Sequence, residues 1–238
     1  MKAIVVDDER LARKELISLL AEFPEVEITD EAVNADDALE KINQHQPDLI
    51  FLDIQMPGKS GFELLEMLDK VPQVIFTTAY DEFAIKAFDY NALDYLLKPI
   101  QPERLKESLD RILEEKQKAP TPEFHDKLGA DDQVFVKDGH KCWFVKLADV
   151  RLFESDGNYI KVYFDSNRPM IHKSLNALDE RLDDRTFFRA SRKHVINLSW
   201  VDGIEPWFNG GLMVKLKGGE KIEVSRRQAA KFKDMMSL

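Results

Sequence analysis

Along the first 118 residues, short apolar, β-branched runs alternate with segments whose apolar positions recur every three or four residues. The runs at 3–6, 26–29, 49–52, 74–78 and 95–97 predict five strands. Between them, Leu11, Leu16, Leu19 and Leu20 form one helical stripe, and Ala35, Ala38, Leu39 and Ile42 a second. Phe62, Leu64, Leu65 and Leu68 give a third, Phe83, Ala84, Ala87 and Phe88 a fourth, and Leu105, Leu109, Ile112 and Leu113 a fifth. Strands alternating with helices predict a doubly wound α/β unit with a five-stranded parallel sheet, helices covering both faces. Pro47, Pro72 and Pro102 fall before strands or at a helix start, where they punctuate rather than interrupt.

The texture then changes. Pro120 and Pro122 follow a charged helix end and open a polar stretch to Asp132, which reads as a linker. Beyond it lie short strand-like runs at 135–137, 143–146, 150–154, 160–164 and 170–172, with Asp-Gly steps at 138–139 and 156–157 suited to hairpins. A lone amphipathic helix at 175–182, with Ser174 as N-cap, precedes further strands at 187–189, 194–197, 201–206, 211–215 and 221–224. Ser225 then caps a final helix. The predicted organisation is a domain at 1–118, a linker at 119–133 and a separate β-dominated domain at 134–238.

Composition fits this division. Of 238 residues, 33% are charged and 44% hydrophobic, a globular balance. Residues 1–120 carry 14 Lys and Arg against 26 Asp and Glu, while 186–238 carry 10 against 5. An acidic half followed by a basic end points to two domains with different partners. No window approaches the 18 or so uncharged apolar residues of a membrane span, and the N-terminus lacks a secretory pattern. Cys142 is the only cysteine, which excludes an internal disulfide and fits a reducing cytoplasm.

Open parallel sheets bind ligands beyond the carboxyl ends of their strands. Asp7 and Asp8 follow the first predicted strand, Asp53 ends the third, Thr78 the fourth, and Lys98 the fifth. Singly, each fits a plainer role: first-turn acids, a turn former before Pro57-Gly58, a strand-end hydroxyl, a solvated charge. Together they converge on one edge. Crowded carboxylates call for a hard cation, and magnesium suits oxygen donors. A carboxylate beside it is placed to attack a phosphoryl group in line, with a lysine and a threonine on the equatorial oxygens.

ValValAspAspGlu (5–9), PheLeuAspIleGlnMetProGly (51–58), ThrAla (78–79) and AspTyrLeuLeuLysPro (94–99) resemble the receiver domain of two-component response regulators. The resemblance implies that Asp53 accepts phosphate from a sensor histidine kinase. It implies that Asp7, Asp8, Asp53 and the main-chain carbonyl of Gln55 hold Mg2+. Thr78 and Lys98 then answer to the phosphate, and Tyr95 is the aromatic that rotates inward. The segment 84–90 is richer in apolar groups than one buried stripe requires, so Ile85, Phe88 and Tyr90 are expected on a dimer face, although Phe88 and Tyr90 suit an ordinary core equally.

The second half shows no helix–turn–helix pair, zinc spacing, Walker loop or GxGxxG. Cys142 beside Trp143 reads as a small core hydrophobe, and the Gly-Gly pairs at 210–211 and 218–219 as hairpin turns. Basic residues cluster at element ends: Lys173, Arg189, Arg192-Lys193 and Arg226-Arg227. Arginines opening a helix oppose its dipole, so a phosphate or guanine partner is the functional reading and a solvated face the plain one. PheGluSerAspGlyAsnTyrIleLysVal (153–162), LysSerLeu (173–175), PhePheArgAlaSerArgLysHisValIleAsn (187–197) and ValSerArgArg (224–227) resemble the LytTR DNA-binding domain. It implies loops, rather than a recognition helix, presented to successive major grooves of double-stranded promoter DNA. By position, Asn158 or Tyr159, Arg192 with Lys193, and Arg227 become the contact candidates.

The expectation is a cytoplasmic response regulator that dimerises on phosphorylation and regulates transcription, a phosphoryl acceptor with self-dephosphorylation and not a turnover enzyme. Two alternatives stand beside it: a receiver coupled to a protein- or RNA-binding β module, and an aspartyl-phosphate hydrolase, which would need a capping domain.

Overall fold

The computed structural model describes residues 1–79, 94–118, 127–139 and 141–236. The chain separates into two compact units, residues 1–122 with 141–144, and residues 123–140 with 145–238. In the first, β1 (Lys2–Val6), β2 (Glu27–Ala32), β3 (Leu49–Asp53), β4 (Gln73–Thr78) and β5 (Asp94–Leu97) form a parallel sheet in the order β2-β1-β3-β4-β5. Around it lie α1 (Arg10–Leu20), α2 (Ala35–His45), α3 (Gly61–Met67) and α4 (Pro102–Lys118). The predicted stripe of Phe83, Ala84, Ala87 and Phe88 lies outside the described residues.

The strand order fixes where a site forms. From β1 the chain runs to β2 on one side, then returns to β3 and continues outward through β4 to β5. The ends of β1 and β3 therefore flank the switch point, where connections leave in opposite directions and open a crevice. Central β3 is buried along its whole length, and β1 and β4 almost so. β2 and β5 are edges, and β2 (EITDEA) is mostly half-exposed, so the continuous apolar run expected of a covered strand holds only inside the sheet.

Local signals set the helices. Asn34 accepts the Asp37 N–H at 2.9 Å to open α2, and Ser60 and Glu63 close a reciprocal capping box on α3. In α1 the expected stripe is corrected: Leu11 is 80% exposed, while Arg13, Leu16 and Leu20 are buried. Those three share one face by their spacing, and Leu11 lies two residues out of phase with it.

In the second unit, β8 (Val150–Asp156), β9 (Tyr159–Phe164), β10 (Met170–Ile171), β11 (Phe187–Arg189) and β12 (His194–Asn197) form an antiparallel sheet in the order β10-β9-β8-β12-β11. A second sheet joins β13 (Val201–Pro206), β14 (Leu212–Leu216) and β15 (Lys221–Val224). Strands β6 (Gln133–Asp138) and β7 (Lys141–Lys146) precede them in sequence, residues 141–144 of β7 falling in the first unit, and Cys142 is buried. Helix α5 (Leu175–Arg181) lies between β10 and β11, and α6 (Arg226–Met235) ends the fold. Gly157, at φ +62°, makes the β8–β9 turn in a conformation that a side chain resists.

Leu152, Phe188, Ile196, Val214, Ile222 and Phe232 pack as one core across both sheets and α6. Phe232 meets Phe188 with ring centroids 5.0 Å apart, which holds α6 down while its first residues stay exposed. Ser174 and Ser225 occupy N-cap positions, but neither side chain accepts a helix N–H, so packing rather than capping supports α5 and α6. Asn197 is fully buried; its amide donates to the Val150 and Leu147 carbonyls, and its oxygen accepts from Ser199.

An ion pair between buried Arg151 and half-buried Glu220 joins the two sheets. Arg151 of β8 reaches Glu220 in the β14–β15 turn, Nη2 to Oε1 at 2.9 Å, and donates to the Asp165 carbonyl at 2.9 Å. A Cβ on Gly218 would lie 2.2 Å from Arg151 Nε, so a larger residue there would push the Arg151 and Glu220 side chains aside. Burial alone would raise the Glu220 carboxyl, but Arg151, a backbone N–H and the Arg168 charge together outweigh it and hold the group below its ordinary value. The pair's contribution is thus present above pH 4.5 and lost as pH falls through the lowered value. Glu220→Gln leaves Arg151 buried without its counter-charge and should cost about 1–3 kcal/mol in urea unfolding at neutral pH, with the gap from the parent shrinking in acid.

Candidate functional site

Five predicted side chains of the first unit emerge where the sheet order directs them. Asp7 and Asp8 directly follow β1, Asp53 ends β3, Thr78 ends β4 and Lys98 follows β5. The carboxylate oxygens of Asp7, Asp8 and Asp53 lie within 4.8 Å of one another. Asp7 and Asp53 are buried, whereas Asp8 is open to solvent. Lys98 Nζ stands between the inner two, 2.6 Å from Asp7 Oδ2 and 2.7 Å from Asp53 Oδ2. The remaining oxygens are held by backbone: Asp7 Oδ1 accepts the Glu9 N–H at 2.9 Å, and Asp53 Oδ1 the Gln55 N–H at 3.0 Å. Thr78 is fully buried, and its carbonyl accepts the Lys98 N–H at 2.8 Å. Tyr95, half-buried in β5, lies opposite Phe76 of β4.

Burial pushes the Asp53 carboxyl above its ordinary 3.8, against the pull of Lys98 and the Gln55 N–H. Burial would lower Lys98, but its bonds to Asp53 and Asp7 prevail and raise it above 10.5. Three carboxylates and one ammonium leave a formal excess of two negative charges in an all-oxygen donor set, with one ligand facing water. A hard divalent cation that keeps part of its hydration matches that set, and Mg2+ fits.

Two supports were not legible in the sequence. Arg13, buried with only 6% of its surface exposed, donates from Nη1 to the Asp7 carbonyl at 2.7 Å and the Asp8 carbonyl at 3.3 Å, while Nε pairs with Glu31 at 2.9 Å. It fixes the backbone that carries both acids. Gly61 sits so close to β3 that a Cβ would lie 2.4 Å from the Asp53 carbonyl oxygen. Any larger residue there displaces Asp53 or α3.

In the second unit, hydrogen bonding draws three loops to one end of the sheet. β8 pairs with both β9 and β12, and the Ser155 N–H donates to the Lys193 carbonyl at 2.8 Å. Asn158 of the β8–β9 turn and Tyr159 at the start of β9 therefore share that end with Arg192 and Lys193 of the β11–β12 turn, all exposed. Tyr159 meets His172 edge-on at 5.3 Å, which brings in the exposed Lys173. Arg226 and Arg227 are exposed in the first turn of α6. Arg226 passes over Gly210, beside Phe208, which is 74% exposed. Arg189, also expected among the contacts, is half-buried and bonded to its own loop. The expected dimer-face residues Ile85, Phe88 and Tyr90 lie outside the described residues.

Comparison with known proteins bears on both units. The family model for the response regulator receiver domain matches residues 3–110, and that for the LytTr DNA-binding domain matches residues 140–237. The sensory transduction protein LytT of Enterococcus faecalis is 32% identical, with both chains covered in full. The chain belongs to the LytTR response regulators. An uncharacterized response regulatory protein of Vibrio cholerae is 37% identical over 99% of this chain and 98% of the relative. Among solved structures, the response regulatory domain of protein mrkE from Klebsiella pneumoniae is 34% identical over 50% of this chain and all of its own, with a TM-score of 0.46.

The acid pocket thus belongs to the receiver domain, a class that typically binds Mg2+ through acidic residues, and the three converging loops belong to the LytTR domain. A response regulator with this architecture implies a sensor kinase and DNA as partners. Among the described residues, no helix is long and apolar enough to cross a membrane.

Metal binding requires ionised carboxylates. Because Asp53 is raised above 3.8, Mg2+ affinity measured by calorimetry should begin to fall at a higher pH than an ordinary aspartate dictates. Arg13→Ala, which touches no ligand oxygen, should weaken Mg2+ by roughly ten-fold or more through the displaced Asp7–Asp8 backbone.

Proposed function

We propose that this LytTR response regulator accepts a phosphoryl group on Asp53 from a sensor histidine kinase and, once modified, dimerises and binds promoter DNA to regulate transcription. The observation that carries the first step is the position of Lys98 Nζ, bonded at once to Asp7 and Asp53. It marks Asp53 as a buried carboxylate whose charge is partly offset and whose orientation is fixed.

An Asp53 oxygen attacks phosphorus in line; the Asp53 O–P bond forms as the bond from phosphorus to the kinase histidine nitrogen breaks. Asp7, Asp8, Asp53 and the Gln55 carbonyl would hold Mg2+, which neutralises charge on the transferring group. Lys98 exchanges part of its contact with Asp53 for a phosphoryl oxygen, and the Thr78 hydroxyl supplies a second donor. Asp53 then carries roughly one to one and a half further negative charge units. Movement of Thr78 toward them frees space for Tyr95, and the surface around β5 and α4 changes. The chain acts as a phosphoryl acceptor that dephosphorylates itself, not as a turnover enzyme. It works in the cytoplasm, where kinase and DNA meet it.

At the other end, Asn158, Tyr159, Lys173, Arg192 and Lys193 meet the duplex from the converging loops, and Arg226 with Arg227 from the α6 N-terminus. Residues 121–238 carry 20 basic against 18 acidic side chains, so affinity rests on this local clustering and on two linked copies, and falls steeply with salt. Acetyl phosphate with Mg2+ should add one phosphoryl group to the intact protein, seen as an acid-stable, hydroxylamine-labile mass increment, and shift sedimentation to the dimer. Asp53→Asn should lose both; a variant still modified at one site would place the acceptor elsewhere.

A further inference from the structure

Arg189 ends β11, beside the turn that carries Arg192 and Lys193. Its Nε donates to the Ser191 carbonyl at 2.6 Å, and Nη2 donates to the Arg192 carbonyl at 2.8 Å and to Asn176 Oδ1 at 3.0 Å. Nη1 donates to the Leu175 carbonyl at 3.1 Å and stands 3.6 Å from Asp179 Oδ2. Four of the five N–H groups of the guanidinium are thereby committed within the chain. Two bonds close on the turn itself and two on α5, which joins the turn to the helix after Lys173. Ser191 completes the frame: its Oγ accepts the Lys193 N–H at 3.1 Å and lies 3.1 Å from His194 Nδ1.

We infer that Arg189 is a positioning residue for DNA recognition: its guanidinium fork holds the β11–β12 turn in the shape that presents Arg192 and Lys193, and makes no DNA contact of its own. The inference rests on the proposed placement of that turn against DNA. A turn already fixed avoids the ordering cost that a mobile one meets on binding. The requirement is for arginine. A lysine keeps the charge, but its single ammonium does not span two turn carbonyls and two α5 acceptors at once.

The test uses the full-length protein treated with beryllofluoride and Mg2+, with the sheared genomic DNA fragments it retains as probe and a mixed-sequence duplex as non-specific control. Arg192→Ala should weaken specific binding by about ten-fold. Arg189→Gln and Arg189→Lys should each do nearly the same, with melting temperatures showing that the domain remains folded. The Arg189→Lys/Arg192→Ala double variant should bind no worse than Arg192→Ala within about two-fold, because both act through one turn. Asn176→Ala, a milder cut to the same fork, should move affinity in the same direction. If Arg189→Lys binds like the parent while Arg189→Gln is weak, Arg189 is a charge contact and the inference falls alone. Additive losses in the double variant overturn it equally. If Arg192→Ala and Lys193→Ala both bind like the parent, the placement of the turn against DNA is wrong, and the role of Arg189 falls with it.

Discussion

Three carboxylates confined within 4.8 Å at the end of a parallel sheet repel one another, and much of the receiver domain is arranged around that repulsion. For the buried pair Asp7 and Asp53, like charges at such a distance cost on the order of 3 kcal/mol at an effective dielectric of about 20. Lys98 offsets part of this by bonding to both, and backbone N–H groups of Glu9 and Gln55 hold the outer oxygens. The balance stays negative, which suits a divalent cation and, in the proposed function, a phosphoryl group that follows it. Sheet order is the cause further back: with β1 beside β3, the chain cannot avoid bringing Asp7 to Asp53. Arg13 and Gly61 act on that placement, one by holding the Asp7–Asp8 backbone and the other by letting α3 lie against the Asp53 carbonyl.

The LytTR domain solves a different problem with similar means. It needs basic side chains outside and a rigid frame beneath them. Apolar packing of Phe188 against Phe232 and the Arg151–Glu220 pair join its sheets and α6, so that Arg226 and Arg227 project from a fixed helix start. Two arginines, Arg151 and Arg189, are spent on construction, while Arg192, Arg226 and Arg227 stay exposed. Identical side chains thus take opposite roles according to the acceptors around them. Where backbone carbonyls surround the guanidinium, it builds the frame; where none do, it remains available to a phosphate or a base.

The strands and the acid pocket were legible because period-two and period-3.6 patterns place strand ends, and functional carboxylates fall there. Asp7, Asp53, Thr78 and Lys98 needed only the correct strand boundaries to converge. The errors have local causes. Leu11 matched an apolar stripe in composition but not in phase, and its exposure follows from the spacing of Arg13, Leu16 and Leu20. Arg13 and Arg189 carry no pattern that distinguishes a buried guanidinium from a surface one, since their acceptors come from residues 18 and 14 positions away as well as from neighbours. β2 broke the apolar rule because it is an edge, which only the strand order reveals.

In the proposed function, charge placed on Asp53 controls what the basic loops of the second domain hold. Full-length protein incubated with sheared genomic DNA at about 0.15 M salt, where exposed charges are only partly screened, tests it in one step. With beryllofluoride and Mg2+, sequencing of the retained DNA should recover a few fragments sharing a spaced repeat, enriched over the untreated protein and absent for Asp53→Asn. Equal retention of the same fragments with and without beryllofluoride would contradict control by Asp53, and no enrichment in either state would contradict sequence-specific binding by the β-rich domain.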